Sequence, residues 1–120
     1  MVTINKVIEM VDGMTPNTFD EEVKFQWLSR LDGMISRVIM EQEDPVYLYP
    51  YDMDKFLLVD SPYDGIYGLY LKAMIHFHHM EYDDYNNAML MFNDLLEQFK
   101  AAYIRENSCG KAKNFRNVMG

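Results

Sequence analysis

The sequence predicts a mainly α-helical fold, a small four-helix bundle-like domain that closes with a C-terminal helical hairpin. Four segments repeat apolar residues at helical spacing, and helix start and stop signals separate them. The chain has 120 residues, of which 49% are hydrophobic and 25% charged, as is typical of one soluble globular domain. We expect a single helical domain over residues 1–107 and a basic, flexible tail over residues 108–120.

Capping residues and apolar spacing predict the first two helices. Thr3 can cap a short helix that ends near Gly13. Thr18 and Glu21 have the spacing of a capping box, and they are expected to open a second helix that reaches about Gln42. The predicted buried stripes are Ile4, Val7, Ile8 and Val11 in the first helix, and Val23, Trp27, Leu31, Ile35 and Val38 in the second, widened by Leu28, Met34 and Ile39.

A long non-helical segment is predicted over about residues 45–60. Two prolines and the alternating run "VYLYPY" indicate extended chain or a short β-ribbon. A loop of this length in a small domain is often functional. Its aromatic residues are hard to place in a core, and we expect the following to contact a partner protein: Tyr47, Tyr49, Tyr51 and Met53.

The second half of the chain predicts the helical hairpin. Ser61 suits the N-cap and Pro62 the first position of the third helix, and "EYDD" allows a tight corner before the fourth. Asn107, Ser108 and Gly110 are expected to end that helix. The predicted apolar stripes are Tyr63, Ile66, Tyr67, Tyr70, Met74, Phe77 and Met80 in the third helix, and Tyr85, Met89, Phe92, Leu96, Phe99 and Tyr103 in the fourth.

Charge is distributed unevenly along the chain. Residues 1–99 contain 6 Lys and Arg against 18 Asp and Glu, whereas residues 100–120 contain 5 against 1. So acidic a body is repelled by phosphate, which argues against a protein that grips nucleic acid. The basic end can instead dock on an acidic partner, including another copy of the body, with the candidate contacts Lys111, Lys113 and Arg116.

All three histidines lie in the stretch "HFHHMEYDDYNN". His76 and His79 would share a helix face, so both could bind one Zn²⁺ with Glu81 or Asp83 as a third ligand. The H-E-x-x-H pattern of helical zinc hydrolases does not occur, and polar residues are favourable at a helix end. We therefore predict a structural corner, with no metal and no cofactor.

The sequence offers no catalytic constellation. It contains neither a glycine-rich phosphate loop nor a nucleophile signature around its serines or around Cys109. No segment approaches the roughly 20 apolar residues that a membrane span needs. We therefore expect neither an enzyme nor a membrane protein.

Three stretches together resemble a known group of phage proteins. They are "TINKVIEMVDGMTPNTFDEEVKFQWLSRLDG", "LLVDSPYDGIYGLYL" and "EYDDYNNAMLMFNDLLEQF", and the likeness covers about residues 3–103. The chain is similar here to the head–tail connector, or head-completion adaptor, family found in phages and prophages of Gram-positive bacteria. The C-terminal stretch "NSCGKAKNFRNVMG" departs from the family's pattern.

The resemblance implies a structural virion protein, assembled in the cytoplasm of the bacterial host. Its helical subunits would form a homo-oligomeric ring beneath the portal protein and link the capsid to neck or tail-completion proteins. DNA would pass through the ring without being specifically bound. The family has no catalytic residues to carry over.

Two other functions fit the residues alone. One is a small cytoplasmic helical adaptor or regulator that acts by binding other proteins. The other is a metal-dependent enzyme or sensor that uses His76 and His79.

Overall fold

The fold is mainly α-helical, as predicted. The computed structural model describes residues 1–119, with side chains for residues 1–107. Its helices are α1 (Ile4–Met14), α2 (Glu21–Val38), α3 (Gly65–His78) and α4 (Tyr82–Met119). Helix α3 packs against the other three, so it is the element around which the domain is built.

One hydrophobic core joins all four helices and the segment between α2 and α3. Buried side chains come at helical spacing from each helix, and Leu57 and Val59 of the intervening segment complete the core. The buried residues of α1 are those that the sequence predicted. The largest fully buried apolar and aromatic side chains are Ile4, Phe25, Leu28, Ile35, Leu57, Ile66, Tyr67, Leu71 and Ile75.

Helix α2 begins and ends at different residues from those predicted. The N-cap of α2 is Asp20, so the predicted capping box of Thr18 and Glu21 is wrong. Before the helix, the Asn17 side chain accepts the Phe19 N–H (3.2 Å) and forms a separate turn. The predicted end at Gln42 is also wrong. Glu41 adopts a left-handed φ of 53°, which turns the chain out of the helix after Val38.

The buried face of α2 is partly rotated relative to the prediction. Five of the predicted residues are buried: Trp27, Leu28, Leu31, Ile35 and Ile39. Val23, Met34 and Val38 are exposed instead, whereas Phe25 is fully buried. The polar residue Asp32, which was not predicted to be in the core, also lies in the interior and forms hydrogen bonds with Tyr67 and Tyr47.

Helix α3 begins later than predicted. Ser61 is not its N-cap, because Tyr63 N–H bonds to the Asp60 carbonyl (2.9 Å) in a separate turn. The N-cap is Asp64, and Ile66 N–H bonds back to the Tyr63 carbonyl (3.2 Å). The predicted stripe was incomplete at the other end as well: Leu71 and Ile75 are buried, while Phe77 and Met80 are exposed.

The helical hairpin of α3 and α4 is confirmed. Met80, with φ 61°, turns the chain, and Glu81 N–H bonds to the His76 carbonyl (2.9 Å) to close the corner. Phe92 and Phe99 of α4 are buried against the core, as their spacing predicted. This corner brings the histidines of α3 next to the carboxylates of α4.

Helix α4 continues past the stop predicted at Asn107, Ser108 and Gly110 and ends at Met119. A glycine in a helix interior costs only about 1 kcal/mol, so such residues weaken a helix without forbidding it. The side chains of residues 108–120, and with them the predicted basic tail, lie outside the part of the chain that the structure describes.

The segment over residues 45–60 is non-helical, as predicted, with turns over residues 49–54, and the β-ribbon alternative is wrong. Within residues 1–119 there is no strand, only one isolated antiparallel bridge between Thr3 and Phe56. Three backbone bonds hold the segment to the start of the chain: Ile4 N–H to Lys55 O (3.1 Å), Asn5 N–H to Met53 O (2.8 Å) and Leu57 N–H to Val2 O (2.9 Å). We call residues 45–60 the α2–α3 loop.

Candidate functional site

A buried carboxylate anchors the α2–α3 loop to the helices. Asp32 of α2 is fully buried and accepts three hydrogen bonds. Tyr67 OH donates to its Oδ1 (2.5 Å), and Tyr47 OH (2.7 Å) and Leu58 N–H (3.0 Å) donate to its Oδ2. These bonds link α2 to α3 and to the loop, so the loop is a fixed part of the domain.

Raised pKa values keep both tyrosines of this network protonated, so that their hydroxyls donate hydrogen bonds. Burial raises the pKa of Asp32, and the hydrogen bonds from Tyr67, Tyr47 and Leu58 oppose that rise. Burial and the nearby Asp32 carboxyl raise the pKa of both tyrosines far above the ordinary value. Tyr67 OH also accepts the buried Val59 N–H (2.8 Å). We call these residues, Asp32, Tyr47, Leu58, Val59 and Tyr67, the Asp32 network.

Three of the four loop residues predicted to contact a partner are engaged within the domain. Tyr47 belongs to the Asp32 network, and Met53 is partly buried against the core. The Tyr49 ring packs edge-on against Phe25, with centroids 5.3 Å apart, and its hydroxyl donates to Glu21 Oε2 (2.9 Å). The sequence missed these contacts, and for these residues contact with a partner stays a prediction.

The fourth loop residue, Tyr51, is 86% exposed. Val46 and Leu48 are also exposed, so an apolar surface forms at the loop tip. Its backbone is held by Asp52, whose Oδ2 accepts the Leu48 N–H (2.6 Å) while its own N–H donates to the Leu48 carbonyl (2.8 Å). We call Val46, Leu48 and Tyr51 the loop-tip surface.

A second apolar surface lies between α1, α3 and α4. It is a cavity of about 430 Å³ whose lining includes Met10, Met14, Leu69 and Met91. These three methionines are all more than half exposed, and Met14 is 76% exposed. Methionine adapts its shape to irregular contacts, which suits it to binding surfaces. We call Met10, Met14 and Met91 the methionine groove.

The histidines lie at the corner between α3 and α4, as the sequence predicted. Glu81 Oε1 lies 3.1 Å from His76 Nδ1 and 3.4 Å from His79 Nδ1, so one carboxylate faces both rings. The hydrogen bond with His76 lowers the pKa of Glu81. His78 is turned away and stacks on Trp27, with centroids 5.4 Å apart.

The group of possible metal ligands contains His76 and Glu81, which the sequence suggested, and Asp84 in place of His79. Ligand atoms of His76, Glu81 and Asp84 all lie within 4.8 Å of one another. Asp83, which the sequence offered as an alternative to Glu81, is not part of this group. Among the described residues this is the one group of three side chains spaced to hold an ion.

Three of the six lysine and arginine side chains in residues 1–99 form ion pairs with acids, those of Lys24, Arg37 and Lys55. Lys24 is buried, and its Nζ binds Asp12 Oδ1 (2.7 Å) and Asp12 Oδ2 (2.9 Å). Arg37 Nε lies 3.1 Å from Asp44 Oδ1 on the surface. These pairs leave an excess of exposed carboxylates on the body.

The candidate contacts Lys111, Lys113 and Arg116 lie outside the described side chains, as does Cys109.

Comparison with protein-family models, with curated proteins and with solved structures found no match. Within the described residues, no helix combines the length and the apolar character that crossing a membrane requires.

The position of Asp32 in the apolar pattern of α2 indicates that it is buried. Phe25, Leu28, Asp32, Ile35 and Ile39 follow one another at alternating spacings of three and four, so Asp32 occupies a core position of the true stripe. A carboxylate at such a position needs buried donors. The exposed methionines of the groove gave no comparable signal, because isolated apolar residues are common on surfaces.

Proposed function

We propose that this protein is a structural subunit of a phage head–tail connector. In this proposal, copies of the chain form a ring beneath the portal protein and link the capsid to neck or tail proteins. The observation that carries the proposal is a rigid helical body with two separate exposed apolar surfaces, the loop-tip surface and the methionine groove.

A closed ring requires heterologous contacts, in which one face of a subunit meets a different face of the next. The loop-tip surface lies on the α2–α3 loop, and the methionine groove lies on α1, α3 and α4. They share no residue. The Asp32 network and the turn around Asp52 hold the loop in place, which lowers the entropy cost of binding through it.

Charge supports the same proposal. The body has an excess of exposed carboxylates, and the basic residues of the sequence are concentrated after residue 99. Unlike ends of this kind favour contact between the end of one subunit and the body of another. An acidic channel lining would also let DNA pass, because few phosphates could be neutralised there.

The proposal is tested by adding the purified chain to the portal ring encoded in the same genome. Negative-stain images and native mass measurement should show several copies of the chain added to the portal as a ring. The portal is included because it can act as the template for assembly. If the chain stays monomeric at high concentration and leaves the portal unchanged, the connector function is wrong and a monomeric adaptor or regulator is the better account.

Surface variants sharpen this test. Met14→Asp and Tyr51→Asp each place a charge on one apolar surface, and each should prevent ring formation. A mixture of the two should give pairs and no larger assembly, because each pair has only one intact contact. Met80→Asp is the matched control, since Met80 is also 76% exposed but lies on neither surface.

A further inference from the structure

We propose that the corner between α3 and α4 binds one divalent transition-metal ion of the Zn²⁺ class through His76, Glu81 and Asp84. We call these three residues the corner cluster. This proposal departs from the metal-free corner expected from the sequence, because the structure brings Asp84 next to His76 and Glu81. It goes beyond the connector function, and neither proposal depends on the other.

The distances in the corner cluster are close to those of a metal site. In a tetrahedral zinc site with bonds of 2.0–2.2 Å, neighbouring ligand atoms lie roughly 3.3 Å apart. His76 Nδ1 and Glu81 Oε1 are already 3.1 Å apart. All three ligand atoms lie within 4.8 Å of one another, and the Asp84 side chain is exposed, so it has room to move toward an ion.

The backbone holds the ligands near these positions before any ion arrives. Glu81 N–H bonds to the His76 carbonyl (2.9 Å), which fixes the two ligands relative to each other across the corner. The His76 side chain is only 13% exposed, which limits its rotamers. An ion bound here would join the last turn of α3 to the first turn of α4.

The donor set selects the class of ion. An imidazole nitrogen with two carboxylates suits Zn²⁺ and similar transition metals, whereas Ca²⁺ and Mg²⁺ prefer sites made entirely of oxygen. Three protein ligands leave a fourth position for water. His79 Nδ1 lies 3.4 Å from Glu81 Oε1, but His79 is not part of the group whose ligand atoms all lie within 4.8 Å of one another.

Local charge also favours a cation. Glu81, Asp83 and Asp84 place three carboxylates within four residues, and no lysine or arginine lies within eight residues of Glu81 in the sequence. A divalent ion would reduce the repulsion between these carboxylates.

The experiment is isothermal titration calorimetry, in which Zn²⁺ is added to the full chain purified without a histidine tag. We expect one ion per chain. His76→Asn and Asp84→Asn should each weaken binding by about tenfold or more, the loss expected for removing one ligand. Circular dichroism of each variant verifies that it remains folded. If His76→Asn unfolds, Glu81→Gln, at an exposed position, is a further variant that removes a ligand.

The chain offers a matched control for each ligand type. His78→Gln changes a histidine that faces Trp27, and Asp83→Asn changes a carboxylate next to the cluster but outside it. Both controls should bind Zn²⁺ within about twofold of the unmodified chain. The proposal is wrong if the unmodified chain does not bind Zn²⁺, if the ligand variants bind as well as it does, or if the controls lose as much affinity as the ligand variants.

Discussion

Removing the hydroxyl of Tyr67 should destabilise the protein more than removing the hydroxyl of Tyr47, the other tyrosine of the Asp32 network. Tyr67→Phe deletes the bond to Asp32 Oδ1 (2.5 Å) and the acceptor of Val59 N–H (2.8 Å). A buried N–H without an acceptor costs about 1–3 kcal/mol, and a hydrogen bond to a charged group contributes about 1.5–3 kcal/mol. Because the two effects share one hydroxyl, we expect a combined loss of about 2–4 kcal/mol.

This loss is large enough to measure by two methods. A chain of this length has an unfolding entropy of about 250 cal/mol/K, so Tm should fall by roughly 8–16 °C. Urea denaturation followed by circular dichroism gives the free energy of unfolding directly. Amide hydrogen exchange should also show that Val59 N–H loses protection, since its acceptor is gone.

Two other tyrosines provide graded controls. Tyr47→Phe removes one bond to the same carboxylate, from a less buried position and with no backbone N–H left unpaired, so it should cost about 1–2 kcal/mol. Tyr103→Phe removes only a long bond to the Met40 carbonyl (3.4 Å) and should cost less than about 0.5 kcal/mol. If Tyr67→Phe costs no more than Tyr47→Phe, the Asp32 network does not anchor the loop as described.

Three further predictions concern charge and surface residues. Burial raises the folded-state pKa of Asp32 above its ordinary value of 3.8, so its favourable contribution is complete at low pH and is lost as the pH rises through the raised value. Urea titrations at several pH values should therefore show the stability advantage over Asp32→Asn shrinking as pH rises, and an advantage that does not change with pH would contradict this. Asp12→Asn leaves the buried Lys24 ammonium without its carboxylate and should lower the free energy of unfolding by about 2 kcal/mol. In a Lys24→Met background, the same change should lower it by less than about 0.5 kcal/mol. Equal losses in the two backgrounds would refute the pairing. Tyr51→Ala should leave the free energy of unfolding within about 0.5 kcal/mol of the unmodified chain while it removes most of the loop-tip surface, and a larger loss would show that Tyr51 supports the fold.

The helices could be predicted because their signals are local. Phe92 and Phe99 repeat at helical spacing, and "EYDD" marks the corner between α3 and α4, so neighbouring residues were sufficient. The hairpin followed because a short connection makes successive helices antiparallel neighbours. The position of the corner and the pairing of the two helices were therefore predicted correctly.

The rotation of α2 could not be predicted in the same way. Asp32 lies in the core because Tyr67, 35 residues later, and Tyr47, 15 residues later, both donate to it. Periodicity correctly predicted that Trp27, Leu31 and Ile35 are buried. It also assigned Val23 and Val38 to the buried face, and these are exposed. Contacts between residues distant in sequence decided which face of the helix is buried.

The candidate site also could be predicted from the sequence only in part. Spacing alone put His76 and His79 on one face of a helix, and the structure places both beside Glu81. The corner cluster contains Asp84 in place of the predicted His79, and Asp83 is outside it. A difference of one residue at a corner depends on backbone angles that composition and spacing do not determine.

Native mass spectrometry of the chain mixed with the portal ring from the same genome tests whether the chain is a ring-forming connector subunit. If it is, the mass of the portal complex should increase by a fixed number of 14.2 kDa subunits. Met14→Asp should abolish this increase, and Met80→Asp should not. A portal mass that stays unchanged, with the chain still monomeric at high concentration, would contradict the connector function.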